Sequence, residues 1–483
     1  MDVKKLGPVL EQIINKMSQN AKKRYETNPA PALAKASFDK VDTAAPCFTM
    51  GFGKASCMPK ARIPGKKKYY VGGYRNNNPA TGVLDPMMAR AVYIDDNSGH
   101  GGVVFCAVDC VGLFSVDVTE MRRRLAPFKR RTGCRSINIC STHNHAGIDT
   151  MGLWGPLPKS GRDKGFMQCV SDAVVAAVNA AYEDKRDGQL YLGYGEVPRE
   201  WMRDSRLPEV FSNTFTRLRF EPDDGSREIY FANLASHSES LQGKNSLVSA
   251  DFPAYIAEEV MRQKGAELAY FVGAIGGLIS FFPQHEDNIE STKLTGRNLG
   301  NILCSITEEE RIEPKISLIR QEFYVEAENP VLIGAAKIGI IPAKPYDLGS
   351  GRLNLGLKTE MTYMELGSLK MLLLPGELFP ELAYGGYLTA EESAEGKDPS
   401  INPKTLCEIA EDEKLLIFGL ANDELGYIPT PNDFCLHKEL PYIEPARDRL
   451  DRRHYEETNS LGPNTSYFIA DTFAEIMKTV KNS

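Results

Sequence analysis

Short runs of apolar and β-branched residues recur along the chain at 103–108, 136–140, 190–194, 229–234, 268–272, 371–374 and 415–418. Each is followed within a few residues by Gly, Pro, Ser or Asn, the pattern of a strand bounded by turns. A different period governs 165–184, where Phe166, Val170, Ala173, Val174, Ala177 and Ala181 form one apolar stripe and predict an amphipathic helix. Leu6, Leu10, Ile13, Ile14 and Met17 also recur at helical spacing, predicting a leading helix that docks on the body. The Pro/Ala-rich stretch "NPAPALAKAS" then separates it from the rest. Strands alternating with helices predict an α/β fold, and their irregular spacing a mixed β-sheet core with flanking helices rather than a regular barrel. The expected organisation is a helix and linker over 1–36 and one domain over 37–483.

Composition narrows the partners. The 42% hydrophobic and 25% charged fractions are those of a soluble globular protein. Lys and Arg number 57 against 64 Asp and Glu, and a net charge of -7 argues against nucleic acid as the main partner. The basic runs "GKKKYY" and "MRRRLAPFKRR" read as a solvated loop and a solvated helix face. No run of about 18 apolar residues predicts a membrane span, and the N-terminus has no continuous apolar core of a secretory signal. The ten cysteines lie scattered with no C-x-x-C pair, so reduced, mostly buried thiols and a cytoplasmic location are expected.

The chemistry gathers where strands end. "SINICSTHNH" runs into His143 and His145, "IYFANLASHSES" into His237, "MLLLPGELF" into Glu377 and "LLIFGLANDELGY" into Tyr427. Ligands bind at the carboxyl ends of strands in open α/β sheets, so these groups are candidates for one site. Two imidazoles, a carboxylate and a phenol oxygen suit zinc with a position left for water. Each residue also has a plain alternative. An H-x-H pair converges only if its backbone stays extended, His237 alone reads as a loop residue, Glu377 as the cap of a helix starting at Leu378, and Tyr427 as packing. The metallo-β-lactamase spacing H-x-H-x-D-H is not met by "HNHAGID", and a barrel amidohydrolase needs more histidines than the seven present. The glycine-rich "VGAIGGLIS" has no phosphate-binding pattern.

Taken in order, the segments "FGKASCMPKAR", "YYVGGY", "VVFCAVDCVGL", "STHNHAGIDT", "NLASHSESLQGKNSLVSADFPAY", "LLLPGEL", "GLANDELGYIP" and "HYEETNSLGPNT" resemble the catalytic domain of the neutral ceramidases, a family of zinc amidohydrolases. The resemblance covers roughly residues 46–475. It implies that His143, His237, Glu377 and Tyr427 hold the zinc, that His145 and Tyr455 contact or protonate the substrate, and that Arg206, in preference to Arg203, touches it. Gly276 stands where the family has the serine of G-D-x-S-P-N, which removes a serine nucleophile and leaves metal-activated water. The family's C-terminal β-sandwich domain has no counterpart after "GPNT", and "AGIDTMGLWGP" departs from the family loop, so a reshaped pocket and a soluble small-molecule substrate rather than membrane ceramide are expected.

The function that follows is hydrolysis of an amide by water activated on one Zn2+ ion, with another divalent metal as an alternative ligand of the same site. A metal-dependent esterase and a non-catalytic binder of a metal or small ligand are the competing readings. Asp109, at the end of "FCAVD", is expected either to orient a ligand imidazole or to serve as a turn residue.

Overall fold

The computed structural model describes residues 29–483, so the leading helix expected at 6–17 lies outside the described residues. The predicted strands are found at Val103–Val108, Ser136–Ser141, Arg186–Glu196, Ile229–Leu234, Glu267–Val272, Leu369–Leu373 and Leu416–Phe418. The predicted helix spans Lys164–Glu183, where Asp163 accepts a hydrogen bond from the Phe166 N–H and so satisfies one of the free donors of its first turn. No helix among the described residues is long and apolar enough to cross a membrane.

The larger sheet has nine strands. Its main path runs from Glu267–Val272 through Ile229–Leu234, Thr214–Pro222, Arg186–Glu196, Phe48–Ser56, Met88–Asp95 and Val103–Val108 to Ser136–Ser141. Pairing is antiparallel in the middle and parallel at the two ends, where Glu267–Val272 joins Ile229–Leu234 and Val103–Val108 joins Ser136–Ser141. A five-stranded sheet contains the long antiparallel pair Ile316–Glu326 and Leu355–Leu366, then Leu369–Leu373 and Leu416–Phe418, the last two parallel. Helices flank this mixed core, including Phe252–Lys264 and Asn288–Ser305 beside the Glu267–Val272 edge.

One apolar core joins the two sheets. Phe105, Phe231 and Phe271 of the first sheet meet Phe418 of the second, with ring centroids 4.4 to 6.1 Å apart. Each buried ring contributes about 1.5–3 kcal/mol by leaving water, so this cluster fixes how the sheets face one another. The consequence for function lies at residues 419–422. Gly419 N–H donates to Val272 O, Ser141 N–H to Leu420 O and Asn422 N–H to Ile139 O, at 3.1, 3.1 and 2.8 Å. The two opposite edges of the larger sheet are therefore drawn onto one segment of the chain. Four parallel-paired strands, Ser136–Ser141, Ile229–Leu234, Leu369–Leu373 and Leu416–Phe418, lead into the segments that carry His143, His237, Glu377 and Tyr427.

Candidate metal centre

Past the ends of Ser136–Ser141 and Ile229–Leu234, a parallel bridge pairs Asn144 with Ser238. His145 N–H donates to Ser238 O at 2.9 Å, and Ser238 Oγ to Thr142 O at 2.8 Å. This register sets His143 beside His237, and His145 beside Glu239. The H-x-H backbone is not extended: His143 has φ 54°, in the left-handed region that non-glycine residues seldom occupy. Such a conformation costs about 1–3 kcal/mol and persists only where surrounding contacts impose it. Here Thr142 N–H and Asn144 N–H donate to Val108 O and Cys110 O, each at 3.0 Å.

The second half of the site comes from two short parallel strands, Glu377–Leu378 and Tyr427–Ile428, in which Glu377 pairs directly with Tyr427. Glu377 is thus a strand residue, and the helix that follows begins only at Pro380. Its Oε2 lies 3.2 Å from His143 Nε2 and 3.1 Å from His237 Nε2. His145 Nε2 is 2.9 Å from His143 Nε2. The Tyr427 ring stacks on His237 with centroids 6.4 Å apart, and its hydroxyl shares a 3.3 Å hydrogen bond with that of Tyr455.

Tautomers follow from the partners. His143 Nδ1 faces Val111 O at 2.7 Å and His237 Nδ1 faces Leu278 O. A carbonyl only accepts, so each Nδ1 carries a hydrogen and each Nε2 is left to face Glu377, where loss of any proton it holds exposes a lone pair. Two imidazole nitrogens directed at a carboxylate oxygen in a buried space form a site for a positive charge, and the mixed nitrogen and oxygen donors fit a zinc-type cation. His143, His145 and His237 also present ligand atoms within 4.8 Å of one another, a grouping able to hold a metal ion.

The titration directions agree with this field. Burial opposes a proton on His143, but the neighbouring Glu377 carboxylate outweighs it and lifts His143 to about 9. Burial also pushes the Glu377 carboxyl up, and His143 and His237 together reverse this and hold it far below the usual carboxylate range. Burial, with His143 and His237 adding to it, keeps His145 well below an ordinary imidazole. Burial and then Glu377 raise both Tyr427 and Glu424.

No protein-family model and no curated protein matches the sequence. Solved structures do match in three dimensions. The neutral ceramidase from Pseudomonas aeruginosa superposes with a TM-score of 0.68 at 17% identity, over 91% of this chain and 75% of that one. A ceramidase complexed with C2 gives 0.67 at 15% identity, over 90% and 75%. The fold is that of the neutral ceramidases.

Within this ceramidase fold the polar groups close one end of a cavity of about 880 Å³. His143, His145, Glu239, Glu377, Glu424, Tyr427 and Tyr455 line that end. The rest is apolar. Val331, Leu332, Ala335 and Ala336 of the helix Pro330–Ile338 line it together with Ile340 and Ile341, and so do Phe114, Met151, Leu153 and Trp154. Leu157 and Ile338, each 53% exposed, bring apolar surface to the lining. Trp154 is placed by Asp149, whose carboxylate accepts the N–H groups of Met151, Gly152 and Trp154 at 2.9, 2.6 and 2.9 Å.

One expectation differs from the arrangement found, and one of the two alternatives for Asp109 falls away. Arg206 does not line the cavity: its buried guanidinium binds Asp433, Glu456 and Glu457 at 3.0, 3.2 and 2.8 Å. Three carboxylates consume its donors, so it braces the turn that follows Tyr455. Asp109 orients no ligand imidazole, because main-chain carbonyls do so, and its Oδ2 binds Arg90 and the Met88 N–H at 2.6 and 2.9 Å. A second acidic group, Asp433, Asp448 and His454, is likewise tied internally, to Arg206, Arg452 and Glu457.

Gly276 explains its own identity. A Cβ there would lie 2.4 Å from Phe379 Cδ2 and 2.8 Å from both Glu377 O and Phe379 N. No serine side chain fits against the strand that carries Glu377. Glu239 and Glu424 escaped sequence reasoning, although Glu239 follows His237 at the same spacing as His145 follows His143.

Proposed function

We infer that the chain is a zinc-dependent hydrolase that cleaves the amide bond of a small molecule bearing an apolar tail. The observation that carries this reading is the convergence of the His143 and His237 Nε2 atoms on Glu377 Oε2, in the polar part of a largely apolar cavity. His143, His237, Glu377 and Tyr427 are the residues that would hold the ion. Zinc bound there supplies Lewis acidity and lowers the pKa of water from about 16 to about 7.

The chain's own groups account for the rest. The apolar lining takes the tail and leaves the amide at the polar end, where Tyr455 donates its O–H to the carbonyl oxygen as negative charge grows. One such donor contributes about 3 kcal/mol when well placed. His145 Nε2 accepts the proton of the attacking water and returns it to the amide nitrogen as the C–N bond breaks, so the products are a carboxylic acid and an amine. The ceramidases of the same fold support the amide as substrate, and the lining supports the tail.

The test loads the purified chain with zinc and follows amine release from N-acyl substrates of graded chain length, beside the matching esters. The expected result is one zinc per chain and metal-dependent amide cleavage, both lost in His237→Ala. A protein that takes up no divalent metal overturns the reading. One that takes up zinc and cleaves neither amide nor ester is a binding protein instead.

A further inference from the structure

The bridge between Asn144 and Ser238 aligns two triplets, His143-Asn144-His145 and His237-Ser238-Glu239. The first members meet at Glu377. The third members also meet, since Glu239 Oε2 lies 3.4 Å from His145 Nδ1, with both side chains buried. His145 Nδ1 has no hydrogen-bond partner in the described structure, and neither has Glu239 Oε1. The geometry points to Glu239 as a positioning residue that fixes the tautomer of His145 for proton transfer.

The argument is one of donors and acceptors. The two nitrogens of an imidazole lie on different edges of the ring, and the partner of one determines what the other presents. A carboxylate facing Nδ1 takes its hydrogen and leaves the lone pair on Nε2, the atom 2.9 Å from His143 Nε2 and therefore at the reacting centre. His143 and His237 are oriented by main-chain carbonyls. Only at His145 does Nδ1 face a side-chain carboxyl rather than a main-chain carbonyl, and a carboxylate binds an imidazolium more strongly than a neutral ring. The separation is slightly long for a hydrogen bond, as is common for catalytic pairs before substrate binds.

Neighbouring groups hold both partners. Tyr74 donates its hydroxyl to Glu239 O at 2.9 Å, and its ring packs edge-on against His145 with centroids 5.3 Å apart. Gly73 leaves space for the His145 side chain, because a Cβ there would lie 2.5 to 2.7 Å from its Cγ, Cβ and Nδ1. Ser240, next after Glu239, is fixed by Asp251, which accepts its N–H at 3.0 Å.

This role rests on the reading of His145 as the proton carrier, so the test has one arm that needs no turnover. In zinc-loaded, 15N-histidine-labelled protein, His145 is expected to carry its hydrogen on Nδ1 in the wild type and to lose that preference in Glu239→Ala. The second arm compares an N-acyl amide with the corresponding activated ester, whose leaving group needs no proton. Glu239→Ala is expected to lower the amide-to-ester ratio of kcat by about 10–100-fold, with KM little changed. Glu239→Gln, which keeps an acceptor without the charge and is nearly the same shape, falls between. A hydrogen on Nε2 of His145 in the wild type overturns the proposal. So does loss of zinc in Glu239→Gln, which makes Glu239 a ligand, or an equal fall on amide and ester.

Discussion

Gly276 offers a direct test of how the metal centre is supported, because the perturbation is a single methyl group. In Gly276→Ala the new Cβ would sit 2.8 Å from Glu377 O and from Phe379 N, and 2.4 Å from Phe379 Cδ2. Unstrained contacts lie near 3.5–4.0 Å, so about 1 Å must be made up by movement. Phe379 Cδ2 belongs to a side chain and can turn aside, but the other two atoms are backbone. Gly276 N–H also donates to Leu378 O at 2.9 Å, tying the two segments together. The strain therefore displaces the strand that carries Glu377, whose Oε2 must stay in reach of two imidazoles at once. Overpacking of this kind costs about 1–3 kcal/mol, and disturbing the support of a ligand lowers metal affinity by about 10–100-fold. Chelator competition measures the zinc affinity, and a thermal melt of the zinc-free protein measures the strain separately. Gly276→Ser is expected to behave at least as badly and to gain no hydrolysis. Wild-type affinity and melting temperature in Gly276→Ala would refute the reasoning.

Other outcomes follow from the same geometry. Because the Glu377 carboxylate lifts His143 to about 9, zinc must displace a proton below that pH. Its apparent affinity for the stripped protein should then rise about tenfold per pH unit between 6 and 8, and a flat profile by competition titration contradicts this. Ala336→Trp fills part of the apolar cavity and should shorten the preferred acyl chain, at about 0.8 kcal/mol for each methylene excluded; an unchanged chain-length profile of kcat/KM counts against the tail site. Arg206→Met removes the cation shared by the buried Asp433, Glu456 and Glu457 and should destabilise the fold by about 3–5 kcal/mol in a denaturant titration. Burial, with Asp204 nearby, pushes Glu381 up to about 8. The folded state thus keeps a proton that the unfolded state loses from about pH 4.5, so this group lowers stability as pH rises towards 8. Glu381→Gln should therefore be nearly neutral at pH 4.5 and stabilising at pH 8.5, by an amount on the order of 3 kcal/mol; equal effects at both values reject the assignment.

The strand positions were legible because a strand buried on both faces is written as an uninterrupted apolar run. Val103–Val108, Ile229–Leu234 and Glu267–Val272 are buried at every residue. The pair Ile316–Glu326 and Leu355–Leu366 escaped because its buried apolar residues are interrupted by charged and polar ones. Some of these charges are partnered across the ladder, as Lys358 with Glu322 at 3.0 Å, so no uninterrupted apolar run marks the strands. Which strands lie at the edges, and that residues 419–422 draw two edges together, depends on hydrogen bonds between segments far apart in sequence. Arg206 shows the same limit within the site. Its partners lie 227 to 251 residues further on, so nothing near "MRDSRLP" distinguishes a guanidinium that faces a cavity from one that is fully ion-paired.

The site itself is built largely from features that place weak demands on side-chain identity. The Nδ1–H groups of His143 and His237 are held by the carbonyls of Val111 and Leu278, which any residue at those positions supplies. The left-handed turn at His143 is imposed by backbone hydrogen bonds, and the approach of the Glu377 strand requires only that residue 276 have no Cβ. Contacts made by main-chain atoms can persist while side chains change, which accords with a shared fold at 17% identity. Among the side chains that face the cavity, the carboxyl group beside His145 is Glu239. On the proposed reading, the residues that would hold the ion are placed by the backbone frame, and the apolar lining would select the substrate.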